Sequence, residues 1–166
     1  MTAHQVVLDI ARIEAAHLAE LVTQFAELVD DSGDGDPRSD PAIARLVPDA
    51  YRGDAEAADE FRSLTESELL DRRAADAAVV LATVHDAATI PPDAGDRVLT
   101  ETVTITLDAE QTQAWLRTLA ALRLVLAERL GIAAEDDHDE ADPRFGIYDW
   151  LGFRLHGLVT ALDDGD

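Results

Sequence analysis

Asp30-Asp31-Ser32-Gly33-Asp34-Gly35-Asp36 is the stretch whose residue types and spacing come nearest to a metal site. With Asp30 as the first position of an EF-hand loop, Ser32, Asp34 and Gly35 fall where oxygen ligands and the turn glycine belong. The eighth position is Pro37 and the twelfth is Pro41, so the bidentate glutamate is missing and the stretch reads as a solvated linker. Glu135-Asp136-Asp137-His138-Asp139-Glu140 gathers carboxylates around one histidine. Metal ligands converge from a rigid scaffold, which neighbours in one acidic run do not provide, so this reads as a charged loop. The sequence therefore predicts no metal and no cofactor.

Acid–base and nucleophilic chemistry find equally little support. His4, His17, His85, His138 and His156 are dispersed, and no pair has an HExxH-like spacing. Ser32, Ser39, Ser63 and Ser67 lie outside any GxSxG elbow. There is no GxGxxG, and the absence of lysine excludes a Walker loop. Without cysteine there is no disulfide, thiolate nucleophile or thiol switch. No catalytic residue is assigned. A cleft joining His17 or His85 to carboxylates would be needed to favour a small-molecule-binding or enzymatic domain.

Two groups remain as interaction candidates. Arg72-Arg73, on a helix expected to follow two short ones, imitates a helix-turn-helix, but Asp71, Asp76, Glu66 and Glu68 crowd it. The second group is Trp150, Phe153 and Arg154. Tyr148, Leu151, Leu155 and Leu158 follow three- and four-residue steps that mark a core stripe, and Trp150 and Phe153 lie off it. Core packing is the first reading for both aromatics; the alternative makes Trp150, Phe153 and Arg154 the candidate partner-binding residues, aromatic and arginine anchors being the types that dominate interfaces.

The charge balance narrows the partner. Thirteen arginines stand against 35 carboxylates, for a net charge of −22. A phosphate backbone would be repelled over most of such a surface, and so would anionic lipid, which disfavours both nucleic acid and membrane. The use of arginine over lysine also fits a GC-rich coding bias or adaptation to salt. The N-terminal residues lack the basic and apolar regions of a signal peptide, and no run approaches the ~20 apolar residues of a membrane span. A cytoplasmic location is expected.

The elements that would position these groups can be read along the chain. At 166 residues with 47% apolar content, one domain is expected over 1–166, with acidic linkers near 30–40 and 133–142. Ile13, Leu21, Phe25, Leu28 and Val29 predict a helix over 10–29 capped by Asp9. Asp40-Pro41 starts a short helix that Pro48 stops, and Asp54 caps another through Phe61. Thr65-Glu66-Ser67-Glu68 reads as a capping box opening a helix to about Val84. Alternation over 98–107, with Leu99, Val103, Ile105 and Leu107 on one side and threonines on the other, predicts a half-buried strand. Residues 5–8 are its expected partner, because a lone strand leaves its backbone groups unmatched. Asp108 with Gln111 opens a helix over 109–130 that Gly131 closes, and Asp142-Pro143 opens the last helix to about Leu162. The fold class is mainly α: a helical bundle of about four long and two short helices with a small two-stranded β ribbon.

Several stretches occur together in a family's order: Leu21-Val-Thr-Gln-Phe-Ala-Glu-Leu-Val29, Asp40-Pro-Ala-Ile-Ala-Arg-Leu-Val-Pro-Asp-Ala-Tyr51, Glu60-Phe-Arg-Ser-Leu-Thr65, Ala114-Trp-Leu-Arg-Thr-Leu119, Leu122-Arg-Leu-Val-Leu-Ala-Glu-Arg-Leu-Gly131 and Tyr148-Asp-Trp-Leu151. The ordered set resembles an actinobacterial family known as a domain of unknown function, numbered 2017, some of whose members are described as oxidative-stress transcriptional regulators. The resemblance implies a cytoplasmic helical protein in transcriptional control through contact with a σ factor or RNA polymerase, and supplies no catalytic residues. Ala120 and Ala121 stand where the family pattern has an Asn-Asp pair. The cysteine pair of the family's proposed redox sensing is absent. The expected function is thus a non-enzymatic regulatory protein acting by protein–protein contact; the alternatives are direct DNA binding and, behind it, a small-molecule-binding or enzymatic domain. The oligomeric state is left open, although an exposed edge strand offers a route to pairing.

Overall fold

The computed structural model describes residues 4–32, 40–46, 55–131 and 145–164, with side chains described outside 32 and 55–66. The chain runs β1 (Val6–Ala11), α1 (Arg12–Ser32), α2 (Pro41–Ala44), α3 (Ala55–Ala88), α4 (Asp96–Leu99), β2 (Thr102–Leu107), α5 (Ala109–Leu130) and α6 (Gly146–Asp164). Among the described residues four helices are long and two are single turns, as the sequence predicts. The second single turn is α4, however, in place of the short helix expected over 54–61.

That difference has a backbone cause. Between Ala55 and Ala88 there is no proline or glycine to interrupt hydrogen-bond propagation, so α3 runs unbroken through the expected capping box at Thr65. The predicted strand likewise loses its first residues. Gly95 provides an extended N-cap, and Val98 and Leu99 close a helical turn that Thr100 caps with its backbone N–H and hydroxyl on Asp96 O. Leu99 therefore lies outside β2.

The strand partner is found where expected, and it is longer than expected. β1 pairs antiparallel with β2, with Val6 opposite Leu107 and Ala11 opposite Thr102. Ile10 thus belongs to the strand, and α1 begins at Arg12 rather than behind an Asp9 cap. The buried seam of α1 is Ala15, Leu18, Val22, Phe25 and Val29, at alternating three- and four-residue steps. Ile13, Leu21 and Leu28 are left half-buried.

α1 packs on α3, α3 on α5 and α5 on α6, with α2 against α5. One apolar core joins them: Leu18 and Val22 of α1, Val80 and Val84 of α3, Trp115 and Leu119 of α5, and Leu151 and Leu158 of α6. The ribbon's inner face adds Val6, Ile10, Ile105 and Leu107. Tyr148, expected on the core stripe, is half-buried. The linkers predicted near 30–40 and 133–142 lie largely outside the described residues, as do the remainder of the calcium-like stretch beyond Ser32 and the whole 135–140 acidic run.

Helix ends follow local chemistry. Asp40 caps α2 through Ala42 N at 2.9 Å, with Pro41 at the first helical position. Asp108 and Gln111 exchange both bonds of a capping box at α5. Gly131 ends α5 in the left-handed conformation at φ 76°, its N–H reaching Ala127 O and Glu128 O. A Cβ there would meet open space, so Gly131→Ala is expected to cost about 1–2 kcal/mol from backbone strain alone. Urea unfolding checks this: the midpoint falls and the slope is unchanged.

Candidate functional site

The site is assembled where β1, α1 and α6 meet. Arg12 N donates to Glu101 O at 3.0 Å, continuing the β1–β2 ladder. Period-two alternation then turns the backbone groups of Val7, Asp9 and Ala11 away from β2. Glu14, three residues past Ala11, reaches back to accept Ala11 N on Oε2 at 3.3 Å. From α6, Arg154 donates Nη1 to Asp9 O at 2.8 Å and Nη2 to Glu14 Oε2 at 2.6 Å. Trp150, one turn earlier, donates Nε1 to Glu14 Oε1 at 3.3 Å.

Glu14 therefore receives three donors. Burial pushes its carboxyl upward, but the hydrogen bonds from Arg154, Ala11 and Trp150, with the guanidinium charge, outweigh this and hold it below the ordinary 4.5. At neutral pH it is a carboxylate committed to its neighbours, not a free base.

An open cleft of about 410 Å³ lies beside this cluster, lined by Glu14, His17, Glu20, Leu21, Gln24, Gly146, Ile147 and Trp150. His17 is exposed and shares the cleft with two glutamates, yet among the described residues it has no hydrogen-bond partner to orient it. The chemistry of this cleft is accommodation of an apolar group on Leu21, Ile147 and Trp150. Among the described residues, no aligned acid–base pair for proton transfer lines it.

The three sequence-predicted partner residues take different positions. Phe153 is 69% exposed on α6. Trp150 is half-buried and packs against the core. Arg154 is in the ion pair, with its guanidinium carbon 5.8 Å from the ring centres of both Trp150 and Phe153. One guanidinium thus joins the half-buried aromatic to the exposed one. Glu14 and Asp9 were missed as members of this group. The Ala11-to-Glu14 spacing is the signal that would have revealed Glu14, once the helix start is placed at Arg12.

Other polar groups serve the scaffold. Arg12 pairs with Glu101 at 3.0 Å and donates to Asp86 O and Thr89 O at the end of α3. It lines a second cleft of about 460 Å³ with His85, Asp86, Thr89, Pro91, Val98 and Glu101. Arg45 pairs with Glu128 at 3.5 Å, and Arg129 with Asp40 at 2.7 Å. The Arg129 hydrogen bond, chiefly, holds the Asp40 carboxyl below its ordinary value.

The Arg72-Arg73 pair is divided. Arg72 is exposed, whereas Arg73 is partly buried with Nη1 on Arg117 O at 3.4 Å. Burial pushes the Arg73 guanidinium below its ordinary value, with Arg117 adding to that and Asp76 opposing it. Arg117 binds Asp76 through two nitrogens at 2.8 and 3.1 Å, and this bond, chiefly, raises its own pKa. Arg123 lies 4.2 Å over the Tyr148 ring, directly above Gly152, where a Cβ would come within 3.1 Å of its Nε. Among the described residues, no group of three or more His, Cys, Asp or Glu is placed to hold a metal ion. Among them, too, no helix is long and apolar enough to cross a membrane.

Fold and site together define an acidic helical bundle with a β ribbon, presenting a cleft and an exposed aromatic at one helix junction. The family model described as "Domain of unknown function (DUF2017)" matches residues 1–162, so the chain belongs to that family. Neither a curated protein nor a solved structure matches it.

Proposed function

We propose that this protein is a cytoplasmic, non-enzymatic regulatory module that acts by protein–protein contact in transcriptional control, with a σ factor or RNA polymerase as its partner. One observation carries the docking part of this reading. Phe153 stands exposed on α6 against Arg154, beside the Trp150 cleft, in a chain of net charge −22. An aromatic anchor gives such a contact its short-range energy, and the acidic surface steers a basic partner. The transcriptional part rests on the regulators described in the family that the sequence resembles.

The test is a tagged pull-down at low salt and at ~150 mM salt, with the captured proteins identified by mass spectrometry. Recovery of RNA polymerase or a σ factor, weakened by salt and by Phe153→Asp, is the expected result. Tight binding to duplex DNA at ~150 mM salt with no protein captured would favour the DNA-binding alternative.

A second reading has its own observation, the cleft that brings His17 together with Glu14 and Glu20. It supports binding of a small apolar group on Trp150 and Ile147. Ligand-induced amide shifts confined to Leu21, Ile147 and Trp150 would identify it.

A further inference from the structure

The two edges of the ribbon are not equivalent. On β1, the outward groups are partly engaged: Asp9 O accepts Arg154, and Ala11 N donates to Glu14. On β2, the same alternation turns the N–H and C=O of Thr102, Thr104 and Thr106 away from β1. Asp108 N continues that row and is closed by Gln111 Oε1 at 2.9 Å. Among the described residues, nothing outside the ladder bonds the backbone of Thr102, Thr104 or Thr106. Edge strands are ordinarily blunted by charge, proline or a bulge, and Thr-Val-Thr-Ile-Thr-Leu has none of these.

Both ends of this edge are acidic. Glu101 precedes β2, while Asp108 and Glu110 follow it, all three exposed. α3 passes the same strand, and it lines an open cleft at each end. At the Asp108 end Val79, Ala82 and Thr83 face a cleft of about 720 Å³ that Glu110 also lines. At the Glu101 end His85, Asp86 and Thr89 line the cleft of about 460 Å³. Cations at the two ends are already engaged, Arg12 with Glu101 and Arg117 with Asp76.

We infer that β2 is a strand-addition site for an extended segment of a protein partner, with β-branched residues at its centre and a basic residue at each end. The added strand takes its main-chain bonds from Thr102, Thr104 and Thr106. Its terminal cations meet Asp108 and Glu110 at one end and, at the other, Glu101, which is shared with Arg12 but 55% exposed. A second copy of this chain fits poorly: β2 laid antiparallel on itself with Thr104 opposite Thr104 sets Asp108 opposite Thr100, next to Glu101, at both ends, between two molecules of charge −22. This inference rests on the protein-contact reading and names the kind of segment recognised.

The probe is a synthetic peptide, Arg-Val-Thr-Val-Thr-Val-Arg, with Glu at both ends in a control. Amide exchange and nitrogen-15 shifts are read on the full chain. The basic peptide is expected to slow exchange at Thr102, Thr104 and Thr106 and to bind at least about tenfold more tightly than the acidic one. Thr106→Pro removes an outward N–H without touching the ladder to β1, and is expected to weaken binding about tenfold or more. Val7→Pro on the opposite edge leaves binding unchanged. Should Thr106→Pro disturb the ribbon's circular dichroism, Glu110→Arg serves instead, weakening the basic peptide and favouring the acidic one.

Peptide binding that ignores Thr106→Pro and Glu110→Arg, or protection at Val7 instead, overturns the inference. So does a dimer in sedimentation that Thr106→Pro dissolves. In the pull-down, a σ factor or polymerase held equally well by Thr106→Pro sinks strand addition and leaves the protein-contact reading standing. If neither chain captures a salt-sensitive partner while the peptide arm succeeds, the σ-factor or polymerase reading falls and the edge remains a peptide site.

Discussion

Trp115→Ala is expected to destabilise the protein by about 4 kcal/mol, the largest effect of any single change considered. Trp115 is 1% exposed in the N-terminal half of α5, hydrogen-bonded to Thr83 of α3. Its removal opens a cavity among side chains that cannot all relax inward. It also leaves Thr83 without the indole donor, which lies at 2.8 Å. Thr83 Oγ1 itself donates to the α3 backbone, near Val79 O at 2.9 Å and Val80 O at 3.0 Å, so the indole bond ties α5 to the main chain of α3.

Two further variants separate packing from the hydrogen bond. Trp115→Phe keeps most of the apolar contact, whereas Thr83→Val strands the indole N–H at a cost of about 1–3 kcal/mol. A double-mutant cycle between the two positions is expected to show coupling of about 1 kcal/mol. Urea midpoints with unchanged slopes are the measurement, and additivity within error would show the bond to be without weight.

Arg154→Met is expected to cost about 1–2 kcal/mol, solvent screening of a Glu14 side chain that is 36% exposed being allowed for. Methionine retains much of the apolar stem, so the loss reports on the guanidinium. Asp9 O loses the guanidinium donor, and Glu14 Oε2 is left with Ala11 N alone. The effect has a defined pH dependence. Glu14 has its folded-state pKa depressed below 4.5, so its contribution is complete above that value. It is lost as pH falls through the lower folded-state value. The gap between wild type and Arg154→Met is therefore expected to hold at neutral pH and to narrow in acid. A gap that widened in acid would show that Glu14 is not the partner whose charge matters.

The two changes also bear differently on function. Trp115 lies in the core shared by all four long helices, so its loss weakens the whole bundle. Arg154 lies under Phe153, and its removal frees the exposed ring from the cation beneath it. Partner capture that falls with Arg154→Met at temperatures well below unfolding would place the docking surface at this junction.

Much of the local structure was legible because short-range chemistry decides it. Asp108 with Gln111 and the terminal Gly131 bound α5 in sequence as they do in space, since capping bonds span three residues and the left-handed turn favours glycine. Asp40-Pro41 fixed the start of α2 for the same reason. The threonine alternation marked the ribbon's outer face, and the need of a lone strand for a partner led to residues 5–8. The positions that were misread are those where two local signals compete. Thr65 to Glu68 forms a good capping box, but a helix already running needs no new start. Asp9 is a good cap residue, but pairing across to Thr104, whose hydroxyl donates to Asp9 Oδ1 at 2.7 Å, claimed it for the strand.

The candidate site belongs to the tertiary structure. Trp150 and Phe153 could be singled out because they sit off the core stripe of α6; core packing, the first reading for both, holds for Trp150 and fails for Phe153, which is exposed. Nothing in the sequence joins Arg154 to Glu14 and Asp9, about 140 residues away, since that contact depends on how α6 crosses β1. The same holds for the ribbon. Residue types determined that two strands would pair and which faces would be buried, because side-chain alternation is local. Which edge is partly covered and which stays open was decided only by packing, since the arginine on one edge comes from a helix at the far end of the chain.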